Sequence, residues 1–262
     1  MAAESLPIML RGVGVQYDMR LSRKRRLRGT LTGKYKDSEA KKFWALRKVD
    51  LEVRHGESLA VIGNNGAGKS TLLQTLAGII TPDEGEIEVR GRISTLLNLG
   101  AGFEDDLDAQ ENILLAGEYL GIPHNTIRRK LSEIINFADI GKFADMPART
   151  YSSGMRARLG FSVATSVDPD VLLLDEVMAT GDAAFAEKSR TRVLELMGRA
   201  RAIVFVTHDL EAAEKFCNRA IEIDRGEIIA SGSPAKVIAD YRKRNSITGP
   251  SSLGKRGARI AT

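Results

Sequence analysis

Cysteine is almost absent from this chain: Cys217 is the only one in 262 residues. A lone cysteine forms no internal disulfide, which excludes the small bridge-stapled secreted folds and fits a reducing compartment. Cys217 is read as core or helix packing. Long hydrophobic runs are missing as well. The longest, such as Leu59 to Ile62 and Val171 to Leu174, fall far short of the ~18 residues that a membrane helix needs. The first ten residues carry Glu4 and Pro7 and lack the basic flank, apolar stretch and cleavage pattern of a secretory signal. A cytosolic chain that does not span a bilayer is expected. Aromatics are scarce at 5%. The most basic stretch contains only Tyr35 to stack on a base, so nucleic acid is not expected as a partner.

What is present is enough apolar material, 43% of the chain, for a sizeable core in one large domain or two small ones. The net charge of +5 is unevenly spread. Arg20 to Lys42 holds ten Lys/Arg against two Asp/Glu, a local +8 that leaves −3 for the remainder. That run is read first as a solvated loop, next as a contact for an anionic lipid surface, and last as a nucleic-acid contact.

Ile8 to Tyr17 and Leu46 to Val53 alternate apolar and polar residues, as antiparallel strands with one covered face do. The basic run sits between them as an insertion over 18–42, a loop with some helix. Beyond Gly56 the pattern changes. Ser58 to Gly63, Val171 to Asp175 and Ala202 to Thr207 are short, nearly continuous apolar runs, the pattern of buried parallel strands each followed by a helix. Ala109 to Phe137 has helical spacing and interrupts that alternation, which predicts a helical subdomain over roughly 100–165. Ala220 to Ala230 reads as a hairpin turning at Asp224-Arg225-Gly226, and Pro234 to Arg244 as a closing helix. The Ser, Gly, Pro and Arg content of 245–262 predicts a disordered tail.

Gly63-Asn64-Asn65-Gly66-Ala67-Gly68-Lys69-Ser70-Thr71 fits the GxxxxGK[ST] pattern, after an apolar strand and before a helix through Leu72, Leu73 and Leu76. Glycines let the backbone curl so that successive N–H groups face phosphate oxygens, and the helix N-terminus adds positive potential. Lys69 is expected on the β- and γ-phosphates and Ser70 on Mg²⁺. Asp175 and Glu176 end the apolar run 171–174, where loops of a parallel sheet meet ligand. Asp175 is expected to hold the Mg²⁺, and Glu176 to orient and deprotonate the attacking water.

These features fit any P-loop nucleotidase. Tyr151-Ser152-Ser153-Gly154-Met155, which precedes a helical run through Leu159 and Val163, narrows the field. In this place it resembles the LSGGQ signature of ABC ATPases, with Tyr151, Ser153 and Met155 as departures. The resemblance covers about 6–244. It implies a P-loop NTPase (RecA-like) α/β core with an N-terminal antiparallel β subdomain and an inserted α-helical subdomain. It also implies a head-to-tail homodimer in which the signature of one copy meets the γ-phosphate bound to the other. Ala179 to Asp182 resembles the D-loop, with Gly181 and Asp182 as its site residues, and His208 resembles the switch histidine. Where the family commonly has a glutamine contacting metal and transporter, this chain has Asn98 and Leu99. The adenine-stacking aromatic is Tyr17, Phe43 or Trp44, with Tyr17 best placed and Trp44 retained as a second nucleotide contact.

Four finer segments, 43–46, 96–103, 150–155 and 176–185, resemble the exporters of bacterial surface polysaccharide: O-antigen, teichoic acid and cell-wall galactan. The reading leans to a galactan exporter. The resemblance implies ATP and Mg²⁺ as cofactors and two copies of an integral membrane permease as partners. It places the ATPase on the cytoplasmic face of the cytoplasmic membrane, with a lipid-linked polysaccharide passing through the permease. The alternative is a soluble ABC ATPase serving translation, DNA repair or cofactor assembly, for which the basic run is the best support.

Overall fold

The computed structural model describes residues 6–18, 42–97, 99–100, 102–175 and 183–247. Most of the basic insertion, Asn98, Glu176, the D-loop and residues 248–262 lie outside the described residues.

The two alternating stretches form β1 (Ile8–Asp18) and β2 (Lys42–Val53), paired antiparallel with Ile8 opposite Val53 and Leu10 opposite Leu51. Their buried residues, among them Val13, Val15, Leu46 and Val49, share the covered face. A third strand, β4 (Glu84–Val89), pairs with the other edge of β1, giving the order β2-β1-β4. Sequence patterning misses β4 because half of it is acidic and only Ile87 and Val89 reach the core.

The second sheet is built from the continuous apolar runs. Its order is β5 (Ile93–Thr95), β6 (Val171–Leu174), β7 (Ala202–Val206), β3 (Glu57–Ile62), β8 (Arg219–Asp224) and β9 (Glu227–Gly232). All neighbours pair parallel except β8 and β9, a hairpin whose turn residues Arg225 and Gly226 both have positive φ, the geometry that matches strand twist. Alternation along β3 explains the apolar runs. Leu59 and Val61 pack toward the antiparallel sheet and α1 (Lys69–Leu76), while Ala60 and Ile62 pack on the opposite face. With both faces covered, the buried positions 59–62 leave no place for a polar residue.

On that opposite face lie α5 (Ser153–Ala164), α6 (Ala183–Arg199), α7 (Leu210–Phe216) and α8 (Pro234–Ile247). The closing helix therefore runs to Ile247, past the Asn245 boundary expected for a disordered tail. A third core cluster joins α5 to α2 (Ala109–Tyr119), α3 (His124–Arg129) and α4 (Leu131–Ala138) through Ile113, Ile127, Ile134, Leu159 and Val163. The helical run is broken into these three pieces at two places, where Gly121, at φ 68°, and Pro123 follow α2, and at Lys130 between α3 and α4. Helix α5 belongs to two clusters at once: Leu159 and Val163 face the helical group, whereas Phe161 faces the sheet and packs with Phe137 and Phe185.

Candidate functional site

The loop between β3 and α1 curls because its glycines accept conformations closed to other residues. Gly63 and Gly68 have φ of 151° and 113°. A Cβ on Gly63 would lie 2.2 Å from the Ile223 carbonyl oxygen, and one on Gly68 would lie 2.4 Å from that of Ala45. Both strain and space therefore exclude a side chain. The loop is pinned from outside by the Gly226 N–H, which donates to Ala67 O at 2.8 Å. Inside it, the Lys69 ammonium donates to Gly63 O at 2.7 Å and Asn64 O at 3.0 Å, so the cation lies directly on the curl. Ser70 and Thr71 follow in the first turn of α1, with Ser70 exposed, while Asn64, Asn65 and Gly66 form the exposed rim. Backbone donors and a helix N-terminus around one ammonium are a set whose chemistry suits phosphate groups.

Strand order brings the other candidates to it. β6, β7 and β3 are adjacent and parallel, so the loops at their C-terminal ends share one edge. Asp175 directly follows β6 and is half-buried. Glu176 is the next residue and, with Gly181 and Asp182, lies outside the described residues. His208 is exposed in the turn after β7. That turn is rigid: the Asp209 N–H donates to Thr207 Oγ1, and Asp209 Oδ1 caps α7 by accepting from the N–H groups of Glu211 and Ala212. A hydroxyl at Ser70 and a carboxylate at Asp175 are hard oxygen donors, the set that suits Mg²⁺ shared with nucleotide phosphates.

Ser152 forms a separate feature. It is the N-cap of α5, and its Oγ accepts from the Met155 N–H at 3.2 Å. Ser152 and Ser153 are exposed, while Tyr151 is 7% exposed and anchors the cap in the helical cluster. Gly154 has no neighbour that requires a glycine: a Cβ there would meet only Ser152 Oγ, at 3.9 Å. The space it leaves therefore opens to the outside of the chain.

The aromatic candidates separate. Tyr17 is the register partner of Phe43, and both are exposed, at 43% and 48%. Trp44 pairs with Gln16, one residue along, and so lies on the opposite face of the sheet, packed over Gly14. The structure thus does not bring Tyr17 and Trp44 together, and Phe43 is the residue that shares a face with Tyr17.

Two contacts were not legible in the sequence. The Tyr241 hydroxyl of α8 reaches Asn64 on the rim of the phosphate loop, and no local motif signals it. Asn112, fully buried on α2, binds the loop 104–108. A polar residue at a core position of an amphipathic helix was the available signal there. A 550 Å³ cleft runs between the sheet and the helical group, lined by Leu97, Leu99, Phe103 and Leu120 and rimmed by the exposed Ile79 and Tyr119.

The sequence model described as ABC transporter matches residues 46–179, half of the chain. The O-antigen export system ATP-binding protein RfbB of Klebsiella pneumoniae is 40% identical over 205 residues, 78% of this chain and 83% of that protein. The chain belongs to the ABC transporter family.

Other relatives of this ABC transporter chain are longer. RfbB of Myxococcus xanthus, also an O-antigen export system ATP-binding protein, is 43% identical over 86% of this chain and 54% of its own length. The teichoic acids export ATP-binding protein TagH of Lactococcus lactis is 40% identical over 78% of this chain and 43% of its own. The chain thus spans about half the length of those two. Among solved structures, an ATP-binding cassette dimer in a post-hydrolysis state with ADP and Pi has a TM-score of 0.63 at 22% identity, covering 87% of this chain and 98% of that one. An ATP-binding subunit of an ABC transporter has a TM-score of 0.66 at 20% identity, covering 94% and 96%. These two likenesses speak to the fold. Among the described residues no helix is long and apolar enough to cross a membrane.

Proposed function

We propose that the chain binds and hydrolyses ATP as a head-to-tail homodimer. In this proposal the cycle drives export of a lipid-linked polysaccharide through two permease subunits, from the cytoplasmic face of the bacterial cytoplasmic membrane. The observation that carries the reading is the division of the site. The phosphate cradle, Asp175 and His208 share one sheet edge, whereas the Ser152 cap points out of the chain with Gly154 leaving it open. A second copy supplies what each half lacks.

On binding, the triphosphate takes the N–H groups of residues 64–71, and Lys69 exchanges its two loop carbonyls for the β- and γ-oxygens. Ser70 and Asp175 would hold Mg²⁺, which offsets the charge developing on the phosphates as the bond breaks. Glu176, next in the chain after Asp175, orients the attacking water and takes its proton. His208 hydrogen-bonds the γ-phosphate, and the capped turn behind it fixes its approach. From the second copy, the first N–H groups of α5 and Ser152 close over the same phosphate, with the helix dipole favouring negative charge there. Gly181 and Asp182 are assigned to the contact between copies. Tyr17 and Phe43 offer a paired aromatic face to the adenine.

The names of the relatives support polysaccharide export over a soluble role in translation, repair or cofactor assembly. The apolar cleft with Ile79 and Tyr119 at its rim suits a cytoplasmic segment of the permease. The test is Glu176→Gln. Its turnover is expected to fall by about two to three orders of magnitude, while ATP still binds and holds a dimer on a sizing column. Turnover at the unaltered rate, or a chain that stays monomeric with MgATP, overturns the reading.

A further inference from the structure

The Ser152 cap is not held by its own helix alone. Residues 148–156, which carry it, are tied on both sides to one residue of another segment, Asp105. On the N-terminal side the Arg149 N–H donates to the Asp105 carbonyl oxygen at 2.9 Å. On the C-terminal side the Arg156 guanidinium, in the first turn of α5, forms an ion pair with the Asp105 carboxylate and donates to Ala148 O at 3.0 Å. Arg156 thus bridges back across the cap to the strand of chain that enters it. Two further ties run parallel: the Ala148 N–H donates to Leu107 O at 2.8 Å, and the Arg149 guanidinium pairs with Asp106.

Asp105 cannot drift, because its loop is bound to the buried Asn112. The Asn112 amide donates to Glu104 O, Leu107 O and Asp108 O at 3.1, 2.9 and 2.9 Å, and its Oδ1 accepts from the Glu104 N–H at 2.7 Å. Asp108 then starts α2 with a capping box to Glu111. Just before this loop, Leu99, Gly100 and Phe103 line the apolar cleft, and Gly100 touches α5 backbone to backbone: a Cβ on Gly160 would lie 2.3 Å from Gly100 N.

We infer that Asp105 is a positioning residue for the composite site, holding the Ser152 cap at the height and angle at which it meets nucleotide bound to a second copy of the chain. The inference rests on the dimeric reading above. An isolated exposed ion pair contributes little to stability. Asp105 is different in kind, since its carbonyl and its carboxylate hold opposite sides of one cap. A donor array aimed at phosphate loses much of its effect when displaced by a fraction of an ångström.

The experiment uses the full chain carrying Glu176→Gln as parent and follows ATP-driven dimerisation by sedimentation velocity. A fluorescent ATP analogue measures binding to the monomer in parallel. Adding Asp105→Ala is expected to weaken dimerisation about tenfold and to leave monomer affinity unchanged, because the cradle lies in a different part of the fold. The conservative Asp105→Glu, which keeps a carboxylate for Arg156 and leaves the Arg156 donation to Ala148 O in place, is expected to retain most of the dimerisation. Dimerisation equal to the parent, or equal loss of monomer binding, overturns the inference. If Asp105→Ala does not fold, Arg156→Ala is read in its place with the same two outcomes. Failure of the parent itself to dimerise strikes the dimeric reading, and the inference falls with it.

Discussion

The Tyr241 hydroxyl of α8 donates to Asn64 Oδ1 at 3.1 Å, joining the closing helix to the rim of the phosphate loop across 177 residues of sequence. The helix is itself anchored, since Arg244 pairs with the buried Glu222 of β8 and Asn245 Nδ2 donates to Tyr241 O. The loop rim is therefore held in part from a distant element before any ligand arrives.

Tyr241→Phe removes only that hydroxyl. A hydrogen bond of this kind contributes about 0.5–1.5 kcal/mol, so the KM for ATP is expected to rise by roughly two- to tenfold. The melting temperature should change little, because the ring stays packed. Steady-state ATP turnover against ATP concentration reads the first quantity and thermal melting the second. An unchanged KM would show that the rim is ordered without α8.

Gly68 makes a sharper case, because it combines a positive φ with a Cβ position 2.4 Å from Ala45 O and 3.2 Å from the Leu46 side chain. Ala45 and Leu46 belong to β2, so Gly68→Ala pushes the loop off the antiparallel sheet. Nucleotide binding, measured by calorimetry, is expected to be lost. Gly66→Ala meets nothing within 4 Å and carries only the conformational strain of φ 79°, so it should weaken binding without abolishing it. The reverse ranking would contradict the loop geometry.

The phosphate loop, the carboxylate after β6 and the histidine after β7 were legible in sequence because each follows a run of apolar residues that sets its place on the sheet edge, and the capped serine because it opens the helical run through Leu159 and Val163. Strand β4 was not, since it offers two core residues among acidic ones. Its pairing is decided by the free edge of β1, not by its own pattern. The Asp105 staple and the Tyr241 contact escaped for a related reason. Both join segments far apart in sequence through single polar atoms, and local periodicity carries no information on which distant partner a polar atom finds. Tyr17 and Trp44 both stay candidates in the sequence because, without knowing that Gln16 pairs with Trp44, their opposite faces are hidden.

Tyr151 replaces the leucine usual at this place in the signature, and its burial has a cost. The hydroxyl oxygen is buried and finds no hydrogen-bond partner among the described residues. Burial, reinforced by Asp108 and then Asp145, pushes the Tyr151 pKa above its ordinary value. Tyr151→Phe relieves an unsatisfied polar atom at almost constant shape and is expected to stabilise the chain by about 1 kcal/mol. A chemical denaturation curve reads this directly. A destabilised variant would mean that the hydroxyl is satisfied in solution.

Cys217 provides a test of burial that does not involve the nucleotide. It lies at the end of α7 in the second core cluster, and desolvation pushes its thiol from the ordinary 9.0 up to about 12. The native chain should therefore resist a thiol-reactive reagent at pH 8, where reaction needs a thiolate. Reaction should become stoichiometric once the chain is unfolded. The same shift has a consequence for stability. Below the ordinary value both states keep the proton and stability does not depend on it. As pH rises from there toward about 12, the unfolded chain loses the proton while the folded chain keeps it, so stability falls by at most about 1.4 kcal/mol per pH unit. Tyr151 and the half-buried Tyr241, whose values desolvation also raises, add a loss of the same sign at higher pH. Cys217→Ala isolates the thiol: between pH 8 and pH 10 its melting temperature is expected to drop less than that of the unaltered chain. Equal drops would show that the thiol titrates near its ordinary value and that this end of α7 opens to water.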